Sequence, residues 1–327
     1  MRLKFRFSFS LALGWFCFLL AARPGAAQAG GSAASSAASN PLKVALLHWY
    51  KANLTTSFAV GNQPYGVAFD GANMWTANFG DGTVSKVQTS DGTVLGTFPI
   101  GTGFEPYGVT FDGANIWVSN LAAGNVTKLQ ADTGKILGTF TVGSNPGFMA
   151  FDGANIWVPY GSNTVAKLRA SDGKNLGNFT VGSGPIATAF DGSNVWVTNT
   201  ADGTVTKLRA SDGTVLGTFA VGSRPTGIAF DGANMWIANR YSGTVSKLRA
   251  SDGATLGTFT IGGGPYGVAF DGTNIWVGGD PGVDELQTSD GAILAVYNLG
   301  GNAVTGLAFD GASIWFSDLS TNKLHKF

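Results

Sequence analysis

The sequence predicts an all-β chain, a seven-bladed β-propeller of four-stranded antiparallel blades. Three observations predict it. The triplet Phe-Asp-Gly recurs at Asp70, Asp112, Asp152, Asp191, Asp231, Asp271 and Asp310, spaced by 42, 40, 39, 40, 40 and 39 residues. Five positions after each Asp stands a tryptophan: Trp75, Trp117, Trp157, Trp196, Trp236, Trp276 and Trp315. The composition agrees, because 49 glycines and 12% aromatics with only 4 methionines in 327 residues suit short strands joined by tight turns. A period near 40, rich in Gly and aromatics, marks a propeller with one blade per repeat.

The segments follow in chain order. Residues 1–29 have the form of a secretory signal peptide: a basic start "MRLKFRFSFS", an apolar run "LALGWFCFLLAA" and small residues before a cleavage point after Ala29. The run is too short for a membrane helix, which needs about 20 apolar residues. Its removal takes away Arg2, Lys4, Arg6, Arg23 and the single cysteine, Cys17. That leaves 16 basic against 20 acidic side chains, a formal charge of −4. A mildly acidic chain has no electrostatic footprint for nucleic acid, and no stable membrane insertion is expected. Without cysteine there is no disulfide, thiolate nucleophile or cysteine metal site. Residues 30–40, "GGSAASSAASN", form a flexible linker. Residues 41–53 are a short apolar segment in which Asn40 can cap a helix that begins at Pro41, packed as a strut on the main domain. Residues 54–327 are the propeller.

Within one repeat, "GVAF" is the first strand, "DGAN" the turn, and "IWVAN" the second strand. A variable loop follows, then "TVSKLRA", an Asp-Gly hairpin turn of type I′, and "TVLGTFTV". The last repeat stops at "NKLHKF", its third strand, and lacks a fourth. Residues 54–61, "LTTSFAVG", match the fourth-strand text. The N-terminal strand therefore completes the seventh blade and removes an exposed sheet edge.

The recurring letters have a structural reading. An Asp at a tight turn accepts backbone N–H groups, and the Asn three residues on can do the same. Asp-Gly-x-Asn has no second carboxylate close by, which argues against calcium. The tryptophans and phenylalanines supply the core, at about 2–3 kcal/mol for each buried ring. Lys167/Arg169, Lys207/Arg209 and Lys247/Arg249 are expected around the rim, paired with nearby Asp. His325 is expected in the strand slot that Arg169, Arg209 and Arg249 fill elsewhere.

Where the repeats differ, the differences fall in two loop sets. One set precedes the first strand of each blade, and the other joins its second and third strands. Because strands alternate in direction, both sets lie on one face. Loops on a rigid ring commonly carry function. The candidate binding residues there are Phe79, Phe104, Glu105, Phe148, Tyr160, Arg224, Arg240, Tyr241 and Asp280. Tyr65, Tyr107 and Tyr266 follow loop prolines and should ring the mouth of the central channel. Aromatics with a few arginines make the composition of a contact surface. Arg224, Arg240 and Tyr241 neighbour the Asp280 blade, which leaves two readings open: a grip for a carboxylate or phosphate, or a surface salt bridge.

"VWVTN" at Val195–Asn199 with "GTVTKLRASDG" resembles the Tyr-Val-Thr-Asn propeller repeats of secreted microbial proteins. "GPYGVAFDGTNIWV" (Gly264–Val277) is similar to repeats of the streptogramin B lyase group. That second resemblance implies a magnesium-assisted elimination that opens a cyclic depsipeptide, with loop-face histidines and a glutamate. Here the only histidines are His48, before the ring, and His325, in a strand; Glu105 has no histidine partner. The expectation is an exported, monomeric, non-catalytic binding or scaffolding module, periplasmic or extracellular, without cofactor or metal. Its partner would be a protein segment, a glycan or an envelope component. The alternative is a magnesium-dependent lyase of the streptogramin B type.

Overall fold

The structure, a computed structural model, describes residues 56–300 and 303–327. The signal peptide, the linker and the segment 41–53 read from the sequence lie outside the described residues. Within them the strands form seven antiparallel sheets of four. In blade 1 the strands run outward from the channel as Pro64–Phe69, Asn73–Asn78, Thr83–Gln88 and Val94–Pro99.

The recurring letters hold each blade together. Gly71, at φ 99°, takes the first central position of the inner hairpin turn, where a type II′ turn needs glycine. Asp70 Oδ1 accepts the N–H groups of Ala72 and Asn73 at 2.9 and 2.7 Å. Its Oδ2 accepts the Trp75 indole N–H at 2.7 Å. The indole-to-carboxylate bond recurs in all seven blades. Burial works to raise the Asp70, Asp152 and Asp231 carboxyls, but the tryptophan and backbone donors outweigh it and leave them below their ordinary value. The seven Asp residues are thus turn and core partners, as their repetition implies.

Adjacent blades are locked by aromatic rings and by lysines. Trp75 is fully buried and stacks on Phe98 of its own outer strand at 5.5 Å. The other side of that ring covers blade 2, where a Cβ on Gly134 would lie 2.2 Å from it. The lysines correct the rim reading. Lys167, Lys207 and Lys247 are buried, not paired with Asp at the surface. Each ammonium sits over its own blade's tryptophan ring and donates to two carbonyls of the next blade, as Lys167 does to Ala210 O (2.6 Å) and Ser211 O (3.2 Å). Lys86 and Lys128 repeat the contact. The arginines do pair at the rim, Arg169–Asp172, Arg209–Asp212 and Arg249–Asp252, with both partners exposed.

The outer hairpin turn differs from type I′. Gly92 has φ 77°, but Asp91 keeps the ordinary sign and instead accepts the Thr93 N–H at 2.9 Å. The register slips by one residue between Lys86 and Val87. A longer turn with a left-handed glycine and a bulge therefore replaces the two-residue turn.

Ser57–Ala59 pairs antiparallel with Lys323–Lys326 and completes blade 7, so the N-terminal closing strand is present. Phe58 stacks on Trp315 at 5.4 Å. The pairing Trp315↔Lys326 moves His325 out of the arginine slot. It takes instead the slot of Thr206 and Ser246, because Lys326 is the lysine that matches Lys207 and Lys247. His325 lies flat on Phe316, with Nε2 3.3 Å from the buried Asp318 carboxylate. Blade 6 carries Glu285 where the others have lysine, bonded to Asn274 at 2.7 Å. Blade 7 has no hairpin between its third and outer strands for a lysine to reach. Phe327 fills that joint against Trp276, Tyr297 and Phe316.

Candidate functional site

The narrow channel follows from a glycine on five of the seven inner strands, Gly66, Gly108, Gly227, Gly267 and Gly306. A Cβ on Gly66 would come within 2.5 Å of Tyr107 O in the next blade, and one on Gly306 within 2.2 Å of Tyr65 O. Without these side chains the inner strands approach edge to edge, and the residue just before each glycine stands at the loop-face rim. Blade 4 has Ala187 in that slot, and blade 3 departs further. Phe148 occupies the glycine slot, the inner strand shrinks to Ala150–Phe151, and Phe148 bridges Ala187 of blade 4.

At the rim the aromatics converge. Phe79 packs on Tyr65 (5.3 Å), Tyr65 on Tyr107 (5.0 Å), Tyr107 on Phe148 (4.6 Å) and Phe148 on Tyr266 (6.2 Å). The hydroxyls of Tyr107 and Tyr266 hydrogen-bond across the mouth. The two tyrosines are 7% and 9% exposed, so of the three expected to ring the mouth these two reach across it as a plug. Below them lies a cavity of about 100 Å³ lined by Val67, Ile228, Val268 and Leu307 among others.

Two arginines flank this plug. The Arg240 guanidinium lies 5.3 Å from the centre of the Tyr266 ring and packs over Gly264. Arg224 lies over Tyr241 at 4.5 Å and donates to its hydroxyl. Neither arginine forms an ion pair among the described residues, so the salt bridge to Asp280 is absent from them. Burial raises the hydroxyl pKa of Tyr65, Tyr107 and Tyr266, and the Arg240 charge opposes the rise in all three. One guanidinium thus acts on tyrosines from three blades.

The remaining candidates divide. Tyr241 is 67% exposed, and Arg224 and Asp280 are also exposed. Glu105 is half-buried and lines a shallow groove with Gln63, Phe79 and Asp81. Two candidates are half-buried and pack against glycines of the ring. Tyr160 replaces the asparagine that Asn78 and Asn120 supply, and its ring lies where a Cβ on Gly143 would meet it at 2.3 Å. Phe104 likewise folds back onto Gly101. Sequence reasoning missed a ring of left-handed residues before the inner strands: Gln63, Glu105, Asn145 and Arg224, with φ 51–53°. Gly184 holds the same position in blade 4. A side chain there costs of order 1 kcal/mol or more, and such strain gathers at functional sites. The available signal was the residue preceding each rim proline.

Comparisons with known proteins agree with this architecture. The fold is a seven-bladed β-propeller. The family profile described as outer membrane protein assembly factor BamB matches residues 122–240. No curated protein matches the chain. A solved structure of catalytically inactive virginiamycin B lyase from Staphylococcus aureus with quinupristin is 21% identical, covering 83% of this chain and 97% of that one, with TM-score 0.71. A streptogramin B lyase structure is 19% identical over 83% and 95%, with TM-score 0.69. Kuenenia stuttgartiensis hydrazine synthase is 16% identical over 82% and 97%, with TM-score 0.71. At these identities the likeness is one of fold, and the ring's chemistry must be argued from its own residues.

Proposed function

We propose that the protein is an exported, non-catalytic binding module whose working surface is the loop face at the channel mouth. One observation carries this reading: six loop-face residues form one continuous run of contacts, from Phe79 through Tyr65, Tyr107, Phe148 and Tyr266 to Arg240. On the opposite face the recurring Asp, Trp and Lys groups are spent on bonds inside the ring. Aromatic and arginine side chains around a rigid centre are the composition of binding hot spots. The partner is a protein segment, a glycan or an envelope component met after export. Among the described residues no three His, Cys, Asp or Glu side chains gather as metal ligands. The histidine they contain, His325, faces Asp318 in blade 7.

Capture from the source organism's envelope extract and culture fluid tests this. The baits are wild type, a loop-face variant (Phe79→Ala, Arg240→Ala, Tyr241→Ala) and an opposite-face variant (Arg169→Ala, Arg209→Ala, Arg249→Ala). A partner lost only by the loop-face variant is expected. A partner kept by that variant, or lost only by the opposite-face one, sinks the reading.

A further inference from the structure

We propose that the channel mouth binds a carboxylate borne on an aromatic or apolar body, gripped by Arg240; the proposal rests on the loop-face reading. Four observations meet at one place. The Arg240 guanidinium is exposed and makes no ion pair among the described residues, while its stem packs over Gly264 and its plane over Tyr266. It keeps its planar fork of N–H donors, the geometry that matches a carboxylate two bonds at a time. The Tyr107–Tyr266 pair shares one hydrogen bond, so one O–H hydrogen of the two remains to donate. The Tyr65 hydroxyl feels the same Arg240 charge. Donors from blades 1, 2, 5 and 6 thus stand around the mouth, and Arg240 has no carboxylate partner among the described residues.

Charge decides which oxyanion fits. Asp81, Glu105 and Asp280 stand on the same face, and Arg224 is engaged with Tyr241. The acidic surround repels a dianion such as phosphate about twice as strongly as a monoanion, and Arg224, whose charge also reaches Tyr266, spends a donor on the Tyr241 hydroxyl. Beside the anion spot the rings of Phe148, Tyr65 and Phe79 form a continuous platform for the apolar part of the ligand. Ring stacking together with a charged tip is the pairing that a bare inorganic ion cannot use.

Saturation-transfer NMR on the purified protein tests this with phenylacetate and its neutral counterpart phenylacetamide, and with inorganic phosphate read by its displacement of phenylacetate. Phenylacetate is expected to bind, with phenylacetamide and phosphate each weaker by about tenfold or more, and to weaken as salt rises. Arg240→Ala should lose about tenfold, and Tyr266→Phe, which keeps the ring beneath Arg240, should lose a smaller factor. Arg169→Ala on the opposite rim should change nothing. Equal binding of phenylacetate and phenylacetamide, tighter binding of phosphate, an unaffected Arg240→Ala protein, or an equal loss in Arg169→Ala overturns the carboxylate. If any of these occurs while the loop-face variant still loses its captured partner, the surface stands and the carboxylate alone falls.

Discussion

The two faces of this ring are written from the same repeat and end in opposite conditions. On the constant face every recurring polar group has a fixed use: Asp70 caps its turn and holds the Trp75 indole, and Lys86 stitches blade 1 to blade 2. On the loop face arginines lie on tyrosine rings without a carboxylate partner among the described residues. Sevenfold repetition therefore marks architecture, and departure marks the place to look for contact. Departure alone is insufficient, because Tyr160 and Phe104 also break the pattern and turn inward to fill space.

The contrast predicts an ordering of effects. Largest is removal of residues 56–60, which takes the outer strand of blade 7 and uncovers Trp315. We expect loss of the cooperative thermal transition in circular dichroism, and an unchanged melt would break the closure argument. Next is Lys128→Ala, which leaves the Ala170 carbonyl short of a donor and strips the cation from the Trp117 ring. Urea denaturation should show a loss of about 1–3 kcal/mol, while Arg169→Ala at the exposed rim stays within about 0.5.

A third prediction uses pH. The Asp70 carboxyl lies below its ordinary value in the folded state, so its contribution is complete above the unfolded value of about 3.9 and is lost as pH falls through the folded one. The stability gap between wild type and Asp70→Asn should be constant from pH 7 to about 5 and close in acid. A gap that widens in acid would contradict the assigned bonds. Smallest is Arg224→Gly on the loop face, which removes a side chain from a left-handed position. Its melting temperature should equal or slightly exceed that of wild type, in contrast to the Lys128 loss.

Much of this was legible in the sequence because the repeat gives seven independent views of one blade. The Phe-Asp-Gly spacing placed the hairpins, and the unmatched "LTTSFAVG" placed the closing strand. Text matching failed where letters coincide and slots do not. "KLH" looks like "KLR", yet strand pairing aligns Lys326 with the buried lysines. The lysine stitches were hidden because a lysine on an alternating strand reads as solvent-facing, and only ring geometry brings the next blade's carbonyls to it. The tyrosine plug was hidden for the same reason: Tyr107 and Tyr266 lie 159 residues apart, and only the closed circle makes them meet. No property of the isolated rim tripeptide tells a lining residue from a stopper.

That stopper has a topological consequence. The Tyr107–Tyr266 hydroxyl bridge spans the loop-face mouth from blade 2 to blade 6, above the small cavity between the inner strands. A guest seated over that bridge on the loop face arrives and departs by the same side. Residence would then be set by how firmly the rim holds its guest.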